Sequence, residues 1–565
     1  MPDRAKARWT TNWSFVLLSL LTLVTFVVAQ SVYEVLAANQ DFLALRGVSN
    51  WQLLDVILVF NALPALLLFL LWVFLRRLHQ GLARWFLATV VGFLFLAFFL
   101  QIHNTYLYER QPFPRGYLLW LLPAALLGAA AVRWEKTFRS FVMVLSPVVL
   151  ILPVLFLLRT WADRDFRPPE RGAMAAPALP SPKAGKRPPI FLLVLDELAL
   201  PALLDENGQI DGARFPHFKE LAGQSHWFRN ATANSDQTVY SIPALLTGDF
   251  PLRGAPSYAY YPDNLFTLLQ PDYDIYIYES LTQFCQPERF HCLSATRQGP
   301  ASRLDFLRDV FYLFADRVVP PDIHLGLPDL RKTWGPFRDP PDLIRARLQR
   351  FEKVMDTIAT LPRRPATDNV FLFFHHLLPH SPYILTADGQ LVDASPHDFR
   401  PAFRGNEPLL RKLREQYQTQ ITYVDNELGR FLQKLRQAGL YDKSLLIVTA
   451  DHGVSYHPQA PGRALTEVDG VVVNADLILR VPLFIKLPFQ QTGVVSDRDV
   501  QLIDVVPTVA EVLHLEVPWP HTGRSVFAPQ GPARLKVAYD EFKKRYEFPS
   551  DLGLFRIGGK ADRPH

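Results

Sequence analysis

The first third of the chain consists of long apolar runs separated by short polar loops. A membrane-spanning α-helix needs about 20 mainly apolar residues, and five runs approach this length. Tryptophans near the ends of several runs match the aromatic belts of membrane interfaces. The pattern predicts a five-helix transmembrane domain over residues 1–160, integral to a membrane. The runs cover residues 14–30, 53–75, 85–101, 117–132 and 140–158.

The basic residues of this region lie in alternate loops, whereas the loops 34–52 and 102–116 hold fewer of them. Because basic loops stay on the cytoplasmic side, we expect a multi-pass protein of the cytoplasmic (inner) membrane with its N-terminus inside. An odd number of spans then places everything after Arg159 on the extracytoplasmic side. A cleaved secretory signal is the alternative for the first run. The basic clusters are Arg4, Lys6 and Arg8; Arg76, Arg77 and Arg84; and Arg133, Lys136 and Arg139.

The composition changes after the last apolar run. Residues 161–189 are rich in Pro, Ala, Arg and Lys, which predicts a solvated linker. Residues 190–546 form one large predicted domain, and residues 547–565 form a tail that carries no recognisable signal. Short apolar runs typical of buried strands occur within the domain. They cover residues 191–195, 276–278, 370–374, 445–449 and 483–487.

Helical segments separate these predicted strands. Apolar side chains recur every three or four residues from Leu409 to Leu435, which predicts one long amphipathic helix. Gly439 follows as a usual helix stop. Strands that alternate with helices favour an α/β domain with a mostly parallel sheet between helices.

Overall composition narrows the possible partners. Of the 565 residues, 49% are hydrophobic and 20% are charged, which is a low charge for a wholly soluble enzyme. The net charge of +5 is small, and no basic patch is interleaved with aromatic residues, so nucleic acid is a poor partner. Cys285 and Cys292 lie close together in a segment expected to face an oxidising compartment. We predict a structural disulfide, with two unrelated thiols as the alternative. The oligomeric state stays open.

Four short polar motifs follow apolar strands or open an apolar helix. In α/β folds, ligands bind where the carboxyl ends of the strands meet. Carboxylate and imidazole groups hold a hard or borderline cation beside an activated hydroxyl. Each motif alone has an ordinary structural explanation, such as a helix cap or a turn, but together they predict a metal site that cleaves a phosphate or sulfate ester. The motifs are Asp196-Glu197, Thr238, the histidines His375, His376 and His380, and Asp451-His452-Gly453.

The segment 216–248 resembles the signature region of sulfatases in the alkaline phosphatase superfamily. A Phe-x-Asn-Ala stretch at residues 228–231 precedes a block that ends in Leu-Leu-Thr-Gly at residues 245–248. Counting back from this end places Thr238 on the family's nucleophilic cysteine and Ser241 on its signature serine. The resemblance implies a sulfatase-like, alkaline phosphatase-type α/β domain. Further landmarks lie at Asp196-Glu197, Asp451-His452-Gly453, and residues 504–508 and 521–525, so that the resemblance covers about residues 190–526.

The resemblance departs from true sulfatases at the nucleophile. A sulfatase oxidises its cysteine to formylglycine and has an arginine close behind, whereas this chain has Thr238 and no such arginine. A threonine nucleophile beside Glu, Asp and His instead looks like the five-span phosphoethanolamine transferases and lipoteichoic-acid-type phosphoglycerol transferases. Those enzymes share the layout of five spans, a linker and an outward catalytic domain.

This resemblance implies a ligand set and a mechanism. Glu197, Thr238, Asp451 and His452 would hold one divalent metal ion, with Asp196 as a candidate fifth ligand. Coordination lowers the pKa of the threonine hydroxyl, which then attacks phosphorus and forms a phosphothreonine. One nitrogen and several oxygens fit Mn²⁺, Zn²⁺ or Mg²⁺, and the histidine disfavours Ca²⁺.

Other polar residues are candidates for contact with the substrate. His380 is placed like the family's histidine for the substrate phosphate or the leaving group. His457 and Arg463 follow the metal pair closely, and either a phosphate contact or ordinary loop polarity explains them. His375 and His376 are weaker candidates, since at least one of them should point into the packing of the sheet.

Three functions are compatible with these residues. The first is transfer of a phosphoethanolamine or phosphoglycerol head group from a membrane phospholipid donor to an envelope lipid or glycan acceptor. The second is hydrolysis of a phosphate or sulfate ester, with water as the acceptor. The third is a catalytically silent lipid-sensing membrane protein, which the presence of all four implied ligands disfavours.

Overall fold

A computed structural model describes residues 12–38, 43, 48, 50–104, 115–162, 187–251, 256–279, 281–293, 303–319, 340–361, 369–392, 403–529, 534–540 and 543–550. Most of the predicted linker and most of the predicted tail lie outside the described residues. The chain divides into two compact units. The helical unit comprises Met1–Asp165 with Gln298–Phe337, and the sheet unit comprises Phe166–Arg297 with Arg338–His565.

The helices alternate with strands only in the sheet unit. In chain order the helices are α1 (Trp13–Val24), α2 (Gln30–Ala38), α3 (Asn50–Ile57), α4 (Leu63–Leu78), α5 (Gln80–Ile102), α6 (Arg115–Arg133), α7 (Glu135–Leu145), α8 (Val148–Ala162), α9 (Pro216–Ala222), α10 (Thr238–Thr247), α11 (Leu265–Leu269), α12 (Arg303–Val318), α13 (Pro340–Thr360), α14 (Glu407–Gln437), α15 (Ala475–Leu479) and α16 (Val505–Val512).

The strands all belong to the sheet unit. They are β1 (Ile190–Asp196), β2 (His226–Phe228), β3 (Ala231–Thr232), β4 (Asp274–Tyr278), β5 (His291–Cys292), β6 (Val370–Pro379), β7 (Leu445–Ala450), β8 (Ser455–His457), β9 (Ala460–Gly462), β10 (Glu467–Val468), β11 (Val471–Val472), β12 (Leu483–Lys486), β13 (Val494–Ser496), β14 (Val500–Gln501), β15 (Lys536–Tyr539) and β16 (Arg545–Phe548).

Within the described residues, the helical unit contains four stretches that are long and apolar enough to cross a membrane. The predicted span 117–132 falls on α6, whose described apolar part, Leu118–Arg133, is shorter than these four. Four of the five expected spans therefore have a matching helix of sufficient length, and the remaining span stays a prediction. The four stretches are Trp13–Ala37, Asn50–Leu78, Gln80–Ile102 and Glu135–Thr160.

Small and polar residues hold the helices of this unit together. Single π-helical turns interrupt the first two long stretches, and there Thr25 Oγ1 donates a hydrogen bond of 2.7 Å to Asn61 Oδ1. A Cβ atom on Gly128 of α6 would lie 2.3 Å from the carbonyl oxygen of Ala88 on α5, so only glycine allows this crossing. Close small-residue contacts and interhelical hydrogen bonds are the usual basis of helix association in lipid, where water expulsion does not drive it.

The sheet unit is built on a sheet of eight strands among the described residues, in the order β13-β2-β12-β7-β1-β6-β4-β5. Every neighbouring pair is parallel except those of β12, which runs antiparallel to β7 and to β2. The prediction of a mostly parallel α/β sheet is therefore confirmed. The central strands β1, β6 and β7 are buried along their whole length, as expected for a sheet covered on both faces.

The predicted long helix is also confirmed. It is α14, which begins at Glu407 and ends at Gln437, and Gly439 beyond it has the left-handed φ of 65° that favours glycine. The helix packs against β6. Its buried stripe places Tyr417 and Glu427 against the part of the sheet where the predicted motifs lie.

Candidate functional site

The alternation of side chains along three parallel strands brings two carboxylates and one imidazole to the same face of the sheet. Val194 of β1 pairs with His375 of β6 and with Thr449 of β7. Asp196 and Asp451 come two residues later on their own segments and so share this face. The ligand atoms of Asp196, His375 and Asp451, here called the Asp–His–Asp group, all lie within 4.8 Å of one another.

The polar atoms of this group are suited to a bound cation. Both carboxylate oxygens of Asp196, both ring nitrogens of His375 and Oδ2 of Asp451 are buried without a hydrogen-bond partner. His375 Nε2 lies 3.6 Å from Asp196 Oδ2 and 4.0 Å from Asp451 Oδ2. Since buried polar atoms normally have partners, such a concentration of unsatisfied oxygen and nitrogen atoms fits a divalent metal ion.

Burial dominates the proton affinities in this group. It raises the pKa of Asp196 well above the usual value, and the neighbouring Asp451 raises that pKa further. Burial also raises the pKa of Asp451, but His452 and His375 lower it more, so it falls below its usual value. Burial lowers the pKa of His375 to about 4, which leaves a neutral imidazole near pH 7. A cation bound here would favour the ionised form of both carboxylates.

Thr238 lies at the start of α10 and is buried. Its Oγ1 is 3.3 Å from Nε2 of His452, whose Nδ1 lies 2.9 Å from the carbonyl oxygen of Gly453. Because a carbonyl only accepts, we assign the imidazole proton to Nδ1, and Nε2 then accepts from the threonine hydroxyl. The positive end of the helix dipole stabilises negative charge on this oxygen.

The Glu197 carboxylate has partners other than the Asp–His–Asp group. It accepts hydrogen bonds of 3.3 Å from the Ser381 N–H and from the Tyr383 hydroxyl, and it lies 3.5 Å from Nε of Arg463. Burial raises its pKa, while Arg463 acts in the opposite direction. The backbone N–H of Glu197 donates to Asp451 Oδ1 at 3.0 Å, so its main chain remains tied to the group.

Glu197 also has an unusual backbone. Its φ of 68° lies in the left-handed region, which is unfavourable for a side chain of this size. The buried hydroxyl of Tyr417 donates to the Glu197 carbonyl oxygen at 2.7 Å and accepts from the Ala199 N–H at 3.1 Å. Tyr417 therefore fixes the turn that follows β1, and with it the position of Asp196 at the strand end.

His380 lies in a cluster with two guanidinium groups. Arg463 Nη1 donates to His380 Nε2 at 2.8 Å, and His380 Nδ1 donates to the carbonyl oxygen of Ser381 at 2.8 Å. Arg347 of α13 donates to the carbonyl oxygens of His380 and Ser381. Burial lowers the pKa of His380 well below 6.5, and the two arginines lower it further, so the ring is neutral. This cationic cluster is suited to the oxygens of a phosphoryl or sulfuryl group.

Other predicted residues lie apart from these contacts. His376 points to the opposite face of β6, because adjacent strand residues alternate, and its Nε2 is 2.7 Å from Glu427 Oε2. His457 makes its hydrogen bonds within the β8–β9 hairpin. Cys285 and Cys292 form a disulfide, as predicted.

Two contributors escaped the sequence prediction, and a third was only a weak candidate. Arg347 lies in a helix that carries no recognised motif, and Tyr417 belongs to the apolar stripe that predicts a core position. His375 and His376 are both weak candidates from the sequence, because their spacing does not show which of them faces the site. Because side chains alternate along β6, only one of the two histidines can face the site. Which one does so depends on the register of β6 against β1, which the sequence does not show.

The chain is similar in sequence to known proteins. A model of the sulfatase family matches residues 189–515. The lipoteichoic acid synthase-like protein YvgJ of Bacillus subtilis is 30% identical over 148 residues, which cover 25% of this chain and 22% of that protein. An arylsulfatase of Clostridium perfringens is 27% identical over 117 residues, which cover 20% of this chain and 23% of that protein. The chain thus spans less than a quarter of the length of either relative.

The chain also has a likeness to a solved structure. The phosphonate monoester hydrolase SpPMH from Silicibacter pomeroyi superposes with a TM-score of 0.41 at 18% sequence identity. The superposition covers 62% of this chain and 79% of that chain.

Proposed function

This chain belongs to the sulfatase family of the alkaline phosphatase superfamily, and on that premise we propose that it is a membrane-anchored metalloenzyme with a threonine nucleophile. Thr238 takes a phospho-linked head group from a lipid donor and passes it to an envelope acceptor. The observation that carries this proposal is the 3.3 Å contact between Thr238 Oγ1 and His452 Nε2, next to the Asp–His–Asp group.

The proposed metal ligands combine the expected set with the observed group. Asp196, Asp451, Thr238 and His452 keep the roles expected for them, and His375 joins them because its ring nitrogens lack other partners. The Glu197 carboxylate stays a proposed ligand, although it interacts with Arg463 in this structure. A bound divalent ion would supply Lewis acidity to the threonine oxygen and to the phosphoryl oxygens.

The residues of the chain perform two displacements at phosphorus. Thr238 Oγ1 forms a bond to phosphorus while the bond from phosphorus to the lipid alcohol breaks, and the threonine proton passes to that alcohol. Arg463 holds the phosphoryl oxygens during this step, and His380, whose Nε2 accepts a hydrogen bond from Arg463, positions that guanidinium beside the substrate phosphate. The hydroxyl of the acceptor then attacks phosphorus, its proton passes to Thr238 Oγ1, and the free threonine is restored.

Membrane anchoring supports a lipid donor. Four apolar stretches of the helical unit are long enough to span a bilayer. The alternation of basic loops supports a cytoplasmic N-terminus and an outward sheet unit in the inner membrane. Anchoring the site to the membrane raises the effective concentration of a phospholipid donor. The relative named as lipoteichoic acid synthase-like favours an envelope lipid or glycan as the acceptor.

Hydrolysis is the second candidate function. The match to an arylsulfatase favours it, because the same covalent intermediate is released when water replaces the acceptor hydroxyl. Transfer and hydrolysis share Thr238 and the metal ligands and differ only in the second displacement.

Full-length protein in vesicles with head-group-labelled phosphatidylethanolamine or phosphatidylglycerol tests the proposal. We expect lipid-dependent formation of phosphothreonine at Thr238, detected by mass spectrometry, and label that moves to an added hydroxyl acceptor. Free head group without transfer would establish hydrolysis. If neither lipids nor soluble phosphate and sulfate esters are cleaved with Mn²⁺, Zn²⁺ or Mg²⁺, the protein is not an enzyme of this kind.

A further inference from the structure

Helix α12 belongs to the helical unit although it follows five strands of the sheet unit in the chain. The chain crosses between the two units after Asp165, after Arg297 and after Phe337. Helix α12 therefore belongs to the helical unit although segments of the sheet unit precede and follow it in the chain. Nothing in the expected layout of spans, linker and outward domain includes such a helix.

Polar contacts fix both ends of α12 on the apolar helices. Near its start, Arg303 Nε lies 3.2 Å from Oδ2 of Asp55 on α3. At its end, the side-chain amide of Asn104, just beyond α5, donates to the carbonyl oxygens of Arg317 at 3.0 Å and of Val319 at 3.1 Å. The acidic residue within an apolar span and the amide near a span end thus both serve to hold this helix.

The middle of α12 packs through apolar side chains. Phe306 and Val310 are fully buried in a cluster that includes Tyr33 and Leu36 of α2. Phe156 of α8 belongs to the same cluster. Burial of Phe306 and Val310 in this cluster fixes the middle of α12 against α2 and α8.

Helix α12 contacts the ends of several spans, and these ends are all expected on the same side of the membrane. The contacts involve the end of α2, Asp55 near the start of the stretch Asn50–Leu78, and Asn104 just beyond α5. Arg76 and Arg77 in the last turn of α4 and Arg84 near the start of α5 lie at the opposite ends of the second and third stretches. Under the positive-inside rule, α12 therefore lies at the extracytoplasmic ends, as its position after the last span requires.

The opposite face of α12 exposes large apolar side chains. Leu304 is 80% exposed and Phe311 is 54% exposed. Arg308 lies between them on the same stripe, one turn from each; its Nη2 is 3.9 Å from Oδ1 of the buried Asp309, and its side chain is still 58% exposed. Helical spacing places this stripe on the far side from Phe306 and Val310.

We propose that α12 is an interfacial membrane helix whose Leu304–Arg308–Phe311 stripe contacts the outer leaflet. Its ligand is membrane phospholipid: acyl chains receive the two apolar side chains, and the arginine extends toward the head groups. The spans of the same unit expose apolar side chains such as Leu67 and Leu70, which require hydrocarbon around them. The stripe continues that surface at the level of the span ends.

This inference rests on the membrane anchoring in the proposed function and deepens it. A lipid-contacting helix that follows the spans in the same chain favours a substrate held in the same leaflet.

Site-directed spin labelling measures the contact directly. Because both native cysteines form the disulfide, one added cysteine is the single reactive thiol. We would label Leu304→Cys and Phe311→Cys in vesicles of phosphatidylethanolamine and phosphatidylglycerol, with Leu70→Cys as the deep reference and Val471→Cys as the aqueous reference. Both test sites should be more accessible to oxygen than to a water-soluble nickel chelate, with depths between the two references. The proposal would be overturned if the labels at 304 and 311 were as accessible to the nickel chelate as the label at 471, because the stripe would then face water. It would also be overturned if oxygen and nickel both failed to reach them, because the stripe would then be buried in protein.

An activity measurement separates this inference from the proposed function. Phe311→Asp should reduce turnover of a vesicle-borne phospholipid by about tenfold while leaving cleavage of a soluble ester unchanged, with Phe311→Leu retaining both. Equal loss on both substrates, with unaltered melting temperature, would contradict a lipid-contact role. If wild-type protein has no activity on either substrate, the proposed function fails, while the spin-label depths still decide the position of α12.

Discussion

The hydroxyl of Tyr417 donates a 2.7 Å hydrogen bond to the carbonyl oxygen of Glu197. The same hydroxyl accepts from the Ala199 N–H, so it bridges both sides of a left-handed residue at the end of β1. Asp196 immediately precedes this residue and Asp451 accepts from its N–H. A side chain from the middle of a distant helix thus positions the acidic groups of the site.

Removing that hydroxyl should reduce catalysis more than it reduces stability. We expect Tyr417→Phe to lower kcat/KM about tenfold, because the left-handed turn relaxes, and to lower the free energy of unfolding by about 1–2 kcal/mol. Tyr441→Phe is the matched control, since it also loses a buried tyrosine hydrogen bond, to Gln224, away from the site. The positioning role is wrong if both variants keep wild-type kcat/KM.

Thr238→Ala should abolish turnover, with a loss of at least about 1,000-fold, because the nucleophile is removed. The melting temperature should stay close to that of the wild type, since the contact of the threonine hydroxyl with His452 is long, at 3.3 Å. Thr238→Ser, which keeps a hydroxyl, should retain measurable activity. Turnover by Thr238→Ala at a tenth of the wild-type rate or more would exclude this residue as the nucleophile.

The two neighbouring histidines of β6 should respond differently to substitution. His375→Ala should weaken the affinity for the divalent metal by at least about tenfold. Elemental mass spectrometry after dialysis would show this as a lower metal content. His376→Ala should keep the metal but lose stability by about 1–3 kcal/mol, because Glu427 is left buried without its partner. Equal metal content in both variants would show that His375 is not a ligand.

The pH profile should report on His380. Burial, Arg463 and Arg347 hold the pKa of His380 well below 6.5. Protonation of the His380 ring should therefore cause no loss of wild-type activity near pH 6.5. Arg463→Gln removes one of the lowering charges, so the acid limb of kcat/KM on a soluble ester should move to higher pH. Arg430→Gln, which breaks an exposed ion pair with Glu352, is the control. An acid limb that stays in place or moves to lower pH in Arg463→Gln would contradict this assignment.

Glu279, near the disulfide, should make the sheet unit less stable as pH rises. Burial raises its pKa from 4.5 to about 7, so the folded state holds a proton that the unfolded state releases. The stability that this proton provides is complete below pH 4.5 and is lost as pH rises to about 7, a change of up to about 3 kcal/mol. Thermal melts of Glu279→Gln from pH 4.5 to 8 should show a smaller slope than the wild type, whatever the change in absolute stability. An unchanged slope would contradict the shift.

Much of the fold was predictable because its signals are local. A strand covered on both faces must be apolar along its length, so the runs at 191–195, 370–374 and 445–449 identify β1, β6 and β7. A helix with one buried face must repeat every three or four residues, which identifies α14. The membrane spans were predictable from the lengths of single apolar runs. The described apolar part of α6 is nevertheless shorter than the four other stretches, so an apolar run does not fix the length of its helix.

The site was predictable only as a set of candidates. Asp196, Asp451, Thr238 and His452 stand at strand ends or a helix start, where the chemistry of α/β folds gathers. The choice of His375 over His376 and the pairing of Glu197 with Arg463 depend on which strands and loops become neighbours. Neither is encoded in the spacing of residues along one segment.

The amino-acid sequence predicts the classes of structure and chemistry in this protein: apolar spans, an α/β domain, a disulfide pair and a threonine among metal-binding side chains. Those features follow from hydrophobicity, periodicity and ligand chemistry within short windows. Long-range packing is needed to show that Tyr417 sets the turn after β1, that Arg347 supports His380, and that α12 packs on the span ends. Each of these contacts joins residues far apart in the chain, and only the packing of the folded protein brings them within a few ångströms.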